Sequence, residues 1–258
     1  MKKIFFIMSF IFIYCNLFAG LSVEPAISNI KLKPSKQYNG EYTVTNTYDK
    51  PIDITIQIED WNSFPGNTDL NVTEWLQIEN NSYALAAGQT ITIPYKVSIK
   101  ENLKGSVSAR LEFFVDKNKN TNKVSVSIPL YVTVLGTEQL DFNVENITLF
   151  TENDNISFKA NIINTGNIHI RPSFYVEIYD SKKEKIIEKI NIPEELPVYT
   201  QKTRQLQNKL IEKKELEKGK YYAIFKIRAL NKEVVKEVVF KISSEKDISS
   251  QENLKNNL

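Results

Sequence analysis

Apolar and polar residues alternate along most of the chain after residue 20, and this pattern constrains the fold more than any other sequence feature. From Ile52 to Ile58 every second residue is isoleucine, and polar residues lie between. Successive side chains of a β-strand point to opposite faces, so this file predicts a strand with one buried face. Similar files occupy residues 91–99, 107–115, 124–134, 156–162, 174–178, 221–229 and 234–242. The prediction is an all-β protein.

The alternation restarts after Gly136, where the short polar segment 137–139 (TEQ) separates two sets of predicted strands. Strands at this spacing, divided by turn residues, favour immunoglobulin-like sandwiches. We therefore predict two tandem immunoglobulin-like antiparallel β-sandwiches, at residues 20–136 and 140–243. Residues 244–258 are polar and lack a repeating apolar pattern, which predicts a disordered tail.

One segment of the second half allows two interpretations. Leu206, Leu210 and Leu216 lie among good helix formers in residues 203–218, and their spacing would suit a helix. A strand followed by a charged loop fits the all-β pattern better. We favour the strand and leave the helix open.

Residues 1–19 have the pattern of a secretory signal peptide. Two lysines precede an apolar stretch from Ile4 to Tyr14, and the small residues Ala19 and Gly20 follow. The stretch is shorter than the ~20 residues of a membrane-spanning helix, although an uncleaved anchor is the alternative. A lipoprotein signal would use Cys15, but the bulky Tyr14 precedes that residue. We predict cleavage after Ala19 and a periplasmic or extracellular protein.

Charge and composition exclude several function classes. The chain has 33 Lys+Arg and 31 Asp+Glu, and cleavage after Ala19 would remove Lys2 and Lys3, leaving 31 of each sign. Such a balance disfavours binding to nucleic acid or to an anionic membrane surface. No glycine-rich phosphate-binding motif is present. We predict no catalytic residues, no metal, no small-molecule cofactor and no membrane span in the mature chain.

Two features are candidates for a catalytic residue and a metal site. His169 is the one histidine of the chain and lies in the segment 164–172 (NTGNIHIRP), where a packing or turn role is favoured over a catalytic one. Acidic and amide residues crowd the segment 59–71, but their spacing matches no EF-hand, so we predict a solvated loop there. The segments 44–47 (VTNT) and 162–165 (IINT) also echo each other, and each asparagine is predicted to bond neighbouring backbone at a corner.

The first half, from residue 21 to residue 134, resembles the N-terminal domain of periplasmic pilus-assembly chaperones of the PapD type. The similar segments are 42–46 (YTVTN), 49–51 (DKP) and 85–89 (LAAGQ), although the family's proline in the last turn is Ala87 here. The second half, at 164–172 and 177–180 (EIYD), is similar to immunoglobulin-like domains of exported bacterial proteins, including WxL-interacting surface proteins. The resemblance implies a sandwich fold and a role in binding other exported proteins.

Chaperones of this type lend an edge strand of alternating apolar residues to the bound subunit. The resemblance gives residues 124–134 as the lending strand, and its candidate partner-binding residues are Val126, Ile128, Leu130 and Val132. The alternative is that this apolar file fills the core of the sandwich. Pro129 lacks an N–H group, which suits a sheet edge or a bulge. The family also holds the subunit's terminal carboxylate with an Arg and a Lys, whereas the early strand here offers only Lys31 and Lys33.

Two functions therefore remain for the sequence. The first is a non-enzymatic, chaperone-like module that assists assembly of cell-envelope or pilus-like proteins by strand addition. The second is a structural or adhesive surface component whose immunoglobulin-like domains act as spacers. A free edge along residues 124–134 favours the first function, and two covered edges favour the second. The partner in either case is an exported or cell-surface protein.

Overall fold

The computed structural model describes residues 20–61, 71–116, 124–212, 215–243 and 248–252. Within these residues the chain forms β-strands and very little 3-10 helix, such as Val72–Glu74, so the all-β prediction is confirmed. None of the helical structure described here has the length and apolar character needed to cross a membrane. The predicted signal peptide, residues 1–19, lies outside the described residues.

The first sandwich contains strands β1 to β9. Their bounds are Leu21–Glu24, Ser28–Leu32, Gln37–Asn46, Ile52–Asp60, Leu76–Ile78, Ser82–Leu85, Thr90–Ser98, Ser106–Asp116 and Val124–Val134. One sheet has the order β1-β3-β7-β5, and the facing sheet has the order β2-β9-β8-β4-β6. Neighbouring strands are antiparallel except β2 and β9, which are parallel.

The second sandwich contains strands β10 to β17. Their bounds are Phe142–Glu152, Asn155–Asn164, Ser173–Tyr179, Ile186–Ile192, Thr203–Glu212, Gly219–Ala229, Lys232–Ile242 and Ile248–Glu252. The sheets have the orders β10-β11-β14 and β13-β12-β15-β16-β17, and all neighbours are antiparallel. The tandem β-sandwich architecture is therefore as predicted.

Each sandwich encloses its own hydrophobic core, built from the alternating files seen in the sequence. Ile52, Ile54 and Ile56 are at most 6% exposed and belong to the first core, with the rings of Tyr42 and Phe113. The second core runs from Phe142 to Ile242. Removal of apolar surface from water is the main stabilising contribution in such sandwiches. The domain boundaries at residues 136 and 140 remain a prediction.

In the second half of the chain the structure confirms one prediction and corrects another. Residues 203–212 form β14, which confirms the favoured strand over the helix. The predicted disordered tail needs a correction, because residues 248–252 form β17 and pair with β16. A strand of five residues is too short to show a clear alternation of apolar and polar residues in the sequence. It forms because the edge of β16 supplies main-chain hydrogen-bonding partners. Residues 244–247 and 253–258 lie outside the described residues.

Two buried asparagines hold equivalent corners of the two sandwiches. Asn46 is fully buried, and its Nδ2 donates to the main-chain oxygens of Lys50 at 2.9 Å, Leu85 at 3.3 Å and Ala86 at 2.9 Å. Asn164 is 1% exposed, and its Nδ2 donates to the main-chain oxygens of Ile168 and Val198. Each side chain supplies donors to carbonyl groups at a corner where the strands end, as the paired sequence segments predicted.

We expect Asn46→Ala to lower the free energy of unfolding by about 3 kcal/mol, because it leaves buried carbonyl groups without a donor. The measurement is urea-induced unfolding of the purified protein. Asn29→Ala is the matched control, since Asn29 is exposed on β2, and it should change stability by less than about 0.5 kcal/mol. Equal effects of the two substitutions would contradict the corner role of Asn46.

Candidate partner-binding edge

The N-terminal segment of the chain covers two different sheets, each over half the length of one strand. Strand β1 pairs with residues 43–46 of β3. The chain then crosses to the facing sheet, where β2 pairs with residues 130–134 of β9. Within the described residues, no strand pairs with residues 124–129 of β9 on the side away from β8, or with residues 37–42 of β3 on the side away from β7. We call these segments the free half of β9 and the free half of β3.

Hydrogen bonds at the end of β9 fix the direction of its main-chain groups. Val134 N donates to Gly105 O at 2.8 Å, on the β8 side, and Leu135 N donates to Leu32 O at 2.8 Å, on the β2 side. Main-chain groups alternate in direction along a strand, so those of odd-numbered residues point away from β8. The free half of β9 therefore presents its open edge through Ser125 and Ser127. Pro129 has no N–H group, and its C=O group faces Ser28 N at the start of the β2 ladder.

The four candidate residues on β9 have different surroundings. Ile128 is 2% exposed, Leu130 and Val132 are fully buried, and all three side chains belong to the first core. β2 also runs alongside Leu130 and Val132 and bonds the main-chain groups of the odd-numbered residues there, Tyr131 and Thr133. Val126 packs partly against the core, and among the described residues it is the one candidate whose side chain is still partly exposed on the free half. Val124, which the sequence analysis did not include, is 39% exposed.

The predicted edge runs along the whole of β9, whereas in the described structure only one half of the strand lies at an edge. Along residues 130–134 the strand lies between β2 and β8. The open side begins at Pro129, directly before the first residue that pairs with β2. Apolar alternation is the same on both halves of the strand and could not distinguish the covered from the uncovered half.

Asn167 joins the second sandwich to the first and to the segment between them. Its main-chain oxygen accepts from Ser106 N at 2.9 Å, its Oδ1 accepts from Gln139 N at 2.7 Å and its Nδ2 donates to Thr137 O at 2.9 Å. Gly105 has a φ of 74°, and a β-carbon there would lie 2.1 Å from Asn167 O. Glycine at this position allows the two backbones to approach.

Aromatic side chains from both sandwiches pack around Tyr131 of β9. Its ring stacks on His169 with a centroid distance of 4.3 Å, and its hydroxyl lies 3.3 Å from that of Tyr199. The Arg171 guanidinium also lies over the Tyr131 ring, with its Cζ 5.8 Å from the ring centroid. Trp61 contacts Tyr199 edge to face. His169 is thus a packing residue of the contact between the two sandwiches, which we call the joint. β9 belongs both to the candidate edge and to the joint.

Lys31 and Lys33 do not form a pair in the cleft between the sandwiches. Lys31 lines this cleft of about 420 Å³, together with Thr133, Glu138 and His169 among others, whereas Lys33 is absent from its lining. A carboxylate, Glu138, therefore shares the cleft with the lysine. No group of three or more metal-ligating side chains occurs in the described part of the chain. Asn62, Asn67 and Asp69 of the predicted solvated loop fall outside it.

Comparison of the sequence with protein-family models and with curated proteins gives no match. Similar solved structures include a chain of the chaperone–tip adhesin complex of CFA/I fimbriae biogenesis, with 15% identity, 92% of this chain and 99% of that chain covered and a TM-score of 0.48. The class 5 fimbriae chaperone CfaA has 14% identity, covers 92% of this chain and 100% of its own, and has a TM-score of 0.47. The YadV chaperone has 11% identity, coverage of 84% and 98%, and a TM-score of 0.46.

We expect the free energy of unfolding to depend on pH through His169, which is buried in the joint. Burial, and secondarily the charge of Arg171, lowers the pKa of this imidazole from 6.5 to about 4. As the pH falls, the unfolded chain therefore binds this proton first, so stability present above pH 6.5 is lost towards pH 4. Between pH 7 and pH 4 the wild-type free energy of unfolding should fall by about 3 kcal/mol more than that of His169→Phe.

His169→Phe is the informative variant because it keeps a ring against Tyr131 and removes the titrating group. Urea-induced unfolding of both proteins at several pH values gives the comparison, and the carboxyl groups that both proteins share cancel in the difference. Parallel pH profiles for the two proteins would show that His169 does not couple the joint to protonation.

Proposed function

We propose that this chain is a non-enzymatic, exported, chaperone-like module that assists assembly of pilus-like or other cell-envelope proteins. It acts by strand addition: an extended segment of the partner pairs with the free half of β9. The observation that carries this proposal is that, in the part of the chain that the structure describes, no strand covers the main-chain edge at residues 124–129. The sequence resemblance of residues 21–134 to PapD-type chaperones gives the class of partner.

The free half of β9 has the chemistry that an extended partner needs. Ser125 and Ser127 each offer an N–H and a C=O group, so a partner strand can form a short ladder. The side chains of Val124 and Val126 lie on the same face of β9, next to the first core. They would pack against apolar side chains of the partner. Main-chain pairing would supply affinity, and these side-chain contacts would supply specificity.

The adjoining half of β9 limits where the partner strand can lie. β2 already pairs with residues 130–134, and Pro129 provides no N–H group for the last position of the ladder. A partner strand that slid further along β9 would have to displace β2. The open segment is therefore about six residues long, close to the length of an ordinary strand.

The alternative function, a spacer in a surface structure, needs no uncovered strand. Exposed strand edges promote unwanted pairing, and natural sandwiches usually protect them. A strand that is covered over one half and open over the other fits the chaperone-like function better than the spacer function.

Site-specific photo-crosslinking tests the proposal. A photoreactive amino acid in place of Ser127 should crosslink an exported subunit in cells that assemble the partner, and mass spectrometry should identify that subunit. The matched control replaces Lys159, an exposed residue of β11 in the second sandwich. We expect the yield at position 127 to exceed the yield at position 159 by about tenfold or more, because only the first position adjoins the paired strand.

A second variant distinguishes main-chain pairing with the free half of β9 from mere proximity of the partner to it. Ser127→Pro removes one outward N–H group from the free half of β9 while leaving the β8 ladder, and it should reduce partner capture about tenfold. Equal crosslinking at positions 127 and 159, or full partner capture by folded Ser127→Pro, would refute strand addition at this edge.

Export makes a separate prediction about the N-terminus. We expect the mature protein to begin at Gly20, because the basic start, apolar stretch and small residues predict cleavage after Ala19. Gly20 N donates to Thr47 Oγ1 at 2.8 Å, and Thr47 N donates to Gly20 O at 2.9 Å, so a chain that starts here can still form the first pairing of β1. Intact-mass measurement of the envelope fraction checks the prediction. A cytoplasmic protein that retains Met1 would contradict it.

A further inference from the structure

The free half of β3 is a second edge that no strand covers among the described residues, and it lies on the opposite sheet of the first sandwich. Asn46 N donates to Gln89 O at 2.9 Å, on the β7 side, and Thr47 N donates to Gly20 O at 2.9 Å, on the β1 side. By alternation, the odd-numbered residues of β3 direct their main-chain groups away from β7. On the free half these residues are Gln37, Asn39 and Glu41. Each of them has an N–H group, so this edge can form a complete ladder.

A groove of about 620 Å³ adjoins this edge where the chain crosses between the sheets. Two large apolar side chains at the groove are exposed, Ile27 at 44% and Tyr38 at 41%. Gly40 permits the Tyr95 ring to lie across the strand, because a β-carbon at Gly40 would be 2.3 Å from that ring. The groove thus offers aromatic and aliphatic surface directly beside unpaired main-chain groups.

The floor of the groove is held in place by buried side chains. The Tyr42 ring is fully buried and stacks on Tyr95 with a centroid distance of 4.8 Å. The Tyr42 hydroxyl lies 3.1 Å from Ser28 Oγ of β2, so the facing sheets are bonded beneath the groove. A side chain that enters the groove meets a surface that is already ordered, which lowers the entropic cost of binding.

The charges beside the groove indicate which type of side chain a bound peptide should carry there. Glu41 is exposed on the outer face of β3, and the ion pairs of the described residues do not include it. Glu24, at the end of β1, is also exposed close to the point where the free half begins. Two carboxylates at this edge complement a basic side chain on an added strand.

We propose that the free half of β3 is a second strand-addition site, which binds an extended peptide with a large apolar residue next to a basic residue. The apolar side chain enters the groove over Tyr38 and Tyr95, and the basic side chain faces Glu41. The two residues are neighbours in the peptide because Gly40 and Glu41 point to opposite faces of β3 and an added strand follows the same alternation. This site lies on a different sheet from the free half of β9 and does not depend on the function proposed for β9.

A synthetic peptide with the sequence Thr-Val-Thr-Lys-Phe-Thr-Val-Thr is a suitable probe. Its binding to the purified full chain is measured by fluorescence anisotropy, and the site is located by amide hydrogen exchange. We expect saturable binding and slower exchange at the amides of Gln37, Asn39 and Glu41. No slowing at these amides when the peptide is bound would overturn the proposal.

Matched variants separate the two edges. Asn39→Pro removes one outward N–H group from β3 without removing a β7 ladder bond, and it should weaken peptide binding about tenfold. Ser127→Pro, the corresponding change on β9, should leave peptide binding unchanged. Loss of binding in Ser127→Pro with normal binding in Asn39→Pro would place the peptide on β9 and refute the second site.

Two further measurements keep the test independent of the folding of Asn39→Pro. A probe methylated on alternate amide nitrogens cannot complete the ladder and should bind wild-type protein at least about tenfold more weakly. Glu41→Lys should weaken binding of the Lys-containing probe and strengthen binding of a probe with Glu in its place. Equal binding of methylated and unmethylated probes, or no change of preference in Glu41→Lys, would show that neither the edge nor Glu41 recognises the peptide.

Discussion

Main-chain hydrogen bonding by one short segment, the twelve residues of 21–32, determines which parts of the first sandwich are closed. This segment is long enough to cover one strand edge, but it divides its length between two sheets. Within the described residues, each sheet therefore keeps a half strand that no other strand covers, and the two halves lie at opposite ends of the sandwich edge. Main-chain groups at such an edge need water or another strand as a partner. Both proposed binding sites follow from this division.

The division also determines how β9 connects to the rest of the molecule. Its covered half pairs with β2, fills the first core and carries Tyr131, which is 2% exposed because His169 and Tyr199 of the second sandwich pack around it. Its free half has neither of these contacts on the open side. A partner strand would thus pair with the end of β9 that is farther from the joint, while the other end stays fixed by both sandwiches.

The fold could be predicted from the sequence because its main signals are local. The isoleucines of residues 52–58 alternate within one strand, and Asn46 and Asn164 mark corners by their position after a strand. The covered and free halves of β9 could not be distinguished, because the pairing of β2 with β9 joins residues about 100 positions apart and is parallel. Leu130 and Val126 have the same place in the alternating pattern. Tyr131 lies on the face predicted to be polar, and only the contact with the second sandwich explains its burial.

Amide hydrogen exchange of the isolated protein tests the division of the N-terminal segment most directly. We expect fast exchange at Ser125, Ser127, Gln37, Asn39 and Glu41, whose N–H groups point to open edges. Exchange should be at least about a hundredfold slower at Tyr131, Thr133 and Thr45, which have the same orientation on the covered halves of the same strands. Equal protection along the whole length of β3 and β9 would show that both edges are closed and that the N-terminal segment does not divide the sandwich in this way.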